Sequence, residues 1–181
     1  WLTYPSEVLI SKVNCHRPYT DLVDLYLTLA EKYGMAFYFG TYDSGHYWQV
    51  GEYQTEIDLN RAAVDELWKN YGHRSAFKGW YLTQEVSRRT KGIIKVYATM
   101  AKHCKAISNG KLPVLISPWM DGIKAVDAIG GNITKSKGIT LQQHEQEWDE
   151  IMSGISGAVD IVAFQDGHVD FHELADYLAI N

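Results

Sequence analysis

The chain has 181 residues, 46% of them hydrophobic and 22% charged, with a net charge of −5. That length suits one well-buried domain, and the acidic balance argues against a nucleic-acid surface, which would need a clustered basic stripe. No apolar run approaches the roughly 18–20 residues of a membrane span, and the two cysteines, Cys15 and Cys104, form neither a metal motif nor a disulfide framework and read as free thiols.

The chain opens on Trp1 rather than Met and shows no signal peptide, so a removed leader or an upstream segment is expected. Residues 1–5 read as the tail of a strand, followed by irregular chain to Thr20. Residues 21–33 carry Leu22, Leu25, Tyr26, Leu29 and Tyr33 at helical spacing, with Gly34 placed to end the helix. Residues 35–40 are an almost continuous apolar run, which suits a parallel strand buried on both faces. After a polar, aromatic loop, a helix is expected from about Glu56 to Tyr71, its inner stripe formed by Leu59, Ala63, Leu67, Trp68 and Tyr71. A strand follows at 77–82, then a helix at about 90–107 lined by Ile93, Val96, Tyr97, Met100, Cys104 and Ile107. Pro113 opens a strand at 113–117, as proline can at a strand's first residue. A flexible loop at 130–138 leads to Thr140 and Gln143, which fit a capping box for a helix lined by Trp148, Ile151, Met152 and Ile155. A strand at 159–164 and a short helix around 170–178 close the chain.

Strands alternating with helices predict a parallel α/β sheet with right-handed crossovers. No dinucleotide glycine fingerprint follows any strand, which favours a β/α barrel over a doubly wound sheet. About five βα units fall in residues 1–181, read as a single partial β/α-barrel domain. A closed barrel needs eight strands, so further strands are expected before Trp1 and after Asn181.

Each of the four strands from 35–40 onward is followed by a carboxylate: Asp43, Glu85, Asp121 and Asp166, spaced 42, 36 and 45 residues apart. In a β/α barrel those positions share one mouth. Two acids across a glycosidic bond can act as proton donor and as partner for the anomeric carbon, and Glu85 is the candidate proton donor. It could equally pair with Arg88 or Arg89 and cap the next helix. Asp166 beside Gln165 suits hydrogen bonding to sugar hydroxyls, but Asp before Gly is also a common turn. Asp121 and Asp43 carry the same two readings. Trp48, Trp80 and Trp119 could stack on sugar rings or fill the core. The acids with His46 or His168 could instead hold a divalent cation, although no HxH, HExxH or EF-hand spacing is present. Neither a P-loop nor a GxSxG nucleophile elbow occurs.

The string Gly79-Trp80-Tyr81-Leu82-Thr83-Gln84-Glu85, with Ile116-Ser117-Pro118-Trp119 and Ala163-Phe164-Gln165-Asp166-Gly167, resembles the TIM-barrel glycoside hydrolases. It is most similar to a mainly bacterial family filed as a domain of unknown function. The likeness runs from Tyr4-Pro5-Ser6 to the last strand. It implies a glycosidase in which Glu85 is the acid/base, with the nucleophile on a strand beyond Asn181. Gln84 stands where such enzymes often have Asn. The resemblance also implies a secreted or periplasmic setting.

The reading is therefore an O-glycosidase acting on a carbohydrate, with no cofactor or metal. Glu85 is its catalytic residue, and Gln84, Asp166, Gln165, Trp119, Trp80, Tyr81, Asp121, Asp43 and Trp48 are its substrate contacts. The alternatives are a metal-dependent sugar isomerase or lyase barrel and a carbohydrate-binding barrel without turnover. Sugar, linkage and oligomeric state are not legible in the sequence.

Overall fold

The computed structural model describes residues 2–86, 92–119, 127–129, 132–134, 140–165 and 174–180. Its first element, α1 (Glu7–Val13), occupies chain that reads as irregular in the sequence. Seven residues do not hold a helix alone in water, and here the first amides are satisfied from elsewhere. Ser6 Oγ accepts from Leu9 N–H at 3.1 Å, and the Glu66 carboxylate accepts from the amides of Glu7 and Val8 at 2.9 and 3.3 Å. Residues 2–5 are not a strand either. Tyr4 packs edge-on against Phe39 and Tyr71 instead.

In α2 (Leu22–Tyr33), Asp21 caps the start and Gly34 ends it at φ 65°. The buried face is Val23, Leu27 and Ala30, whereas Leu25, Tyr26, Leu29 and Tyr33 are exposed. Of the five residues read at helical spacing, Leu22 is half-buried and the other four face outward. Both rows have helical spacing, and the smaller side chains at 23 and 30 seat the helix on the core.

The remaining elements are β1 (Phe37–Gly40), α3 (Tyr53–Tyr71), β2 (Phe77–Leu82), α4 (Ile93–Ile107), β3 (Val114–Ile116), β4 (Asp127–Ile129), β5 (Asn132–Thr134), α5 (Leu141–Ile155), β6 (Ile161–Val162) and α6 (Leu174–Ile180). Within the expected 130–138 loop, β5 pairs antiparallel with β4. The α5 capping box forms as read, Thr140 Oγ1 accepting from Gln143 N–H at 3.2 Å and Gln143 Oε1 from Thr140 N–H at 3.0 Å.

One sheet has the order β1-β2-β3-β6, and all three pairings are parallel. Strands that neighbour each other in chain order, with a helix in each of the crossovers, form the singly wound wall of a β/α barrel. A doubly wound sheet would reverse its order part-way. The fold is α/β and fits a partial β/α barrel.

In-register residues of parallel strands share a face. Phe39 pairs with Trp80 and Trp80 with Val114, while Leu82 pairs with Ile116. All five are buried in the core against α3, α4 and α5. The opposite face carries Tyr38, Tyr81, Leu115 and Ile161, all half-buried. Gly79 lies under the Tyr38 ring, where a Cβ would come within 2.2 Å of a ring carbon.

Candidate active site

The sheet continues past its formal strand ends. Thr41 N–H donates to Tyr81 O at 2.8 Å, and Thr83 Oγ1 donates to Thr41 O at 2.9 Å. Trp119 and Gln165 form a parallel bridge beyond β3 and β6. The C-terminal ends of the four strands are thereby held side by side, as a shared mouth requires.

Glu85 sits in the segment after β2, half-buried. Tyr81 Oη donates to its Oε1 at 2.8 Å, and Trp119 Nε1 donates to its Oε2 at 2.9 Å. Two neighbouring strand ends therefore aim one carboxylate. Each oxygen keeps a second lone-pair direction, so a proton can come and go without breaking either contact. Burial, with the Glu85 carboxylate next in importance, holds the Tyr81 hydroxyl protonated well above the ordinary phenol range, and the charge of Asp43 adds to this. Tyr81 therefore stays a donor to Glu85 at any physiological pH. From beneath, Tyr97 of α4 donates its hydroxyl to Gln84 O. Trp119 N–H donates to Val86 O at 2.9 Å, pinning the far side of the segment.

Gln165 lies beside Trp119 and donates its Nε2 to Ser117 O at 2.6 Å. Asp43 is exposed at the tip after β1. Its Oδ1 accepts from Gly45 N–H at 2.8 Å and from Trp48 Nε1 at 2.7 Å, so the turn reading of this acid is realised while its charge reaches Tyr81.

The structure thus brings together Glu85, Tyr81, Trp119 and Gln165, with Asp43 near them. It turns three other candidates away. Trp80 is 0% exposed and packs on Phe77 and Trp68, so neither ring face is open to a sugar. Trp48 is also buried, and it serves as the donor that orients Asp43. Gln84 is 1% exposed and points its amide at Glu56 of α3, because its position alternates with Glu85 across the chain. Asp121, Asp166 and His168 lie outside the described residues. So do Arg88 and Arg89, the alternative partners of Glu85. Among the described residues, no three His, Cys, Asp or Glu side chains cluster as metal ligands.

The sequence reading missed the buried Glu56 and Asn60. Their signal is present: a carboxylate and an amide four residues apart fall on the apolar face that continues through Ala63, Val64 and Leu67. A cavity of about 360 Å³ lies nearby, lined by Leu2, Tyr4, Phe39, Thr41, Tyr42 and Asp43 among others. It opens on the β1 side and does not include Glu85, so the concavity and the aimed carboxylate are neighbours rather than one pocket.

The description "Domain of unknown function (DUF4434)" matches the chain over residues 1–181. The chain belongs to this family. It is also similar to a crystal structure from Bacteroides thetaiotaomicron VPI-5482 described as a "putative alpha-L-fucosidase". The two share 51% sequence identity and a TM-score of 0.86, over 99% of this chain and 55% of that one. This family member therefore spans about half the length of that relative. No curated protein matches the chain. Among the described residues of this DUF4434 member, no helix is long and apolar enough to cross a membrane.

Proposed function

We propose that the chain supplies the acid/base side of a glycoside hydrolase site. The observation that carries this reading is the Glu85 carboxylate at the C-terminal end of β2, with one oxygen held by Tyr81 and the other by Trp119. The 51% identity to a structure described as a "putative alpha-L-fucosidase" supports carbohydrate as the substrate class.

In this reading Glu85 protonates the departing glycosidic oxygen and afterwards takes a proton from water. Tyr81 and Trp119 fix its orientation, which matters because proton transfer requires hydrogen-bond contact with the leaving oxygen. The half-buried Trp119 offers a ring face to the sugar while its N–H holds Glu85. Gln165 and Asp43, together with Asp121 and Asp166, are proposed as hydroxyl contacts. Gln84, Trp80 and Trp48 support the site from behind rather than touch the sugar. The second carboxylate of the pair is proposed to come from the part of such a protein that this chain does not span.

The test is turnover of a glycan panel with sugar and alkyl leaving groups, with an α-L-fucoside included, by the full-length protein and its Glu85→Gln form. Loss of about 10²–10⁴-fold in kcat is expected, the usual contribution of a general acid. Equal turnover by the two proteins refutes the assignment. Glycan binding without turnover by the unmodified protein would point to a binding barrel, and loss of turnover with a chelator to metal chemistry.

A further inference from the structure

We infer that Glu56 is a positioning residue that fastens the two strand-end loops bearing Asp43 and Glu85 into one unit. Its catalytic meaning rests on the glycosidase reading, whereas the coupling of the loops does not. Glu56 lies in the first turn of α3 and is 0% exposed. Its Oε1 accepts from Gln84 Nε2 at 2.8 Å and from Asn60 Nδ2 at 3.1 Å, and its Oε2 accepts from Ser44 Oγ at 2.6 Å. Ser44 follows Asp43 directly, and Gln84 directly precedes Glu85. The same side chains grip Tyr42, on the other side of Asp43. Gln84 Nε2 donates to Tyr42 O at 3.1 Å, and Asn60 Oδ1 accepts from Tyr42 N–H at 2.9 Å. Asp43 is thus held at both flanking residues and Glu85 at the preceding one, through contacts that converge on one carboxylate.

Hydrogen-bond inventory shows why position 56 needs a carboxylate. Ser44 Oγ already accepts from the amides of His46 and Tyr47 at 3.1 and 2.9 Å, so only its proton is left to give. The amide groups of Gln84 and Asn60 that face Glu56 are donors too. An acceptor-only group satisfies all three, and a glutamine would set its own N–H₂ against one of them. Burying a carboxylate at a core-facing helix position costs desolvation that an apolar residue there would not incur. The polar cluster instead serves the relative placement of two loops, a preorganisation of the kind a reacting group requires.

Two indoles report the two loops separately, since Trp48 Nε1 donates to Asp43 and Trp119 Nε1 to Glu85. In Glu56→Gln, both indole N–H signals should move in the ¹H–¹⁵N spectrum of the folded protein, and kcat should fall about a hundredfold with KM held. Gln84→Met leaves the Ser44–Glu56–Asn60 contacts in place and cuts the tie to β2, so the Trp119 signal should move. A Trp119 signal unchanged in both variants overturns the inference and leaves Glu56 as a local stay of the Asp43 loop. If Glu56→Gln does not fold, Ser44→Ala, which cuts the tie between Glu56 and the Asp43 loop at a distance from Glu85, should still move the Trp119 signal, and an unchanged signal overturns the inference. If the unmodified protein proves to have no glycosidase activity, the indole signals still decide the coupling.

Discussion

Replacing Trp80 by Phe separates a core role from a sugar-stacking role at the residue the sequence places nearest the Glu85 motif. The indole covers about 50 Å² more than a phenyl ring, and at roughly 25 cal/mol per Å² its loss costs about 1.3 kcal/mol. A residual void of about 40 Å³ adds about 1 kcal/mol. Against this, Trp80 Nε1 is buried with no hydrogen-bond partner among the described residues. Keeping such a donor out of water costs about 1–3 kcal/mol, and phenylalanine removes it. The terms nearly cancel, so Trp80→Phe should lie within about 1.5 kcal/mol of the parent protein. Trp80→Ala should lose about 3–5 kcal/mol. Urea unfolding by linear extrapolation measures both, and glycoside turnover measured in parallel should be unchanged in the Phe variant. A folded Trp80→Phe protein that loses turnover as Glu85→Gln does would refute the buried-core assignment.

Arg74 binds both carboxylate oxygens of Glu31, and its hydrogen bonds are the largest cause holding Glu31 down from 4.5 to about 2. Because the folded value is depressed, the stabilisation is complete above the unfolded value of 4.5 and is lost as pH falls through about 2. The difference in Tm between the parent and Arg74→Met should therefore be largest near neutral pH and shrink between pH 4.5 and 2; a constant difference would refute the pairing. Cys104 is 0% exposed, and burial pushes its thiol up to about 12, whereas Cys15 is half-exposed. A thiol reagent at mildly alkaline pH should titrate Cys15 in the native protein and Cys104 only after unfolding. Two fast thiols in the native state would contradict the packing of α4.

The alternation of strands and helices was legible because runs such as 77–82 and the stripe of α4 carry one period each. The same logic gave α2 and its Gly34 stop but not its buried face, because two rows of apolar residues share the helical spacing and only the packing partner chooses between them. It failed at α1 because the amides of Glu7 and Val8 are satisfied by Glu66, far along the chain. In the site, Glu85 and Trp119 each read as a candidate, but their mutual contact depends on the β2–β3 register, which no local pattern encodes. Trp80 and Gln84 misled for a simpler reason. Adjacent residues at a strand end point to opposite sides, and which side faces the mouth is decided by the neighbouring strands.

The capping of α1 by Glu66 has a kinetic side. A seven-residue helix with only the local Ser6 cap is marginal until Glu66 of α3 satisfies the amides of Glu7 and Val8, and that requires a long loop to close. Residues 7–13 are therefore expected to order after α3 docks, and hydrogen exchange under mild destabilisation should show their amides exchanging before those of the sheet.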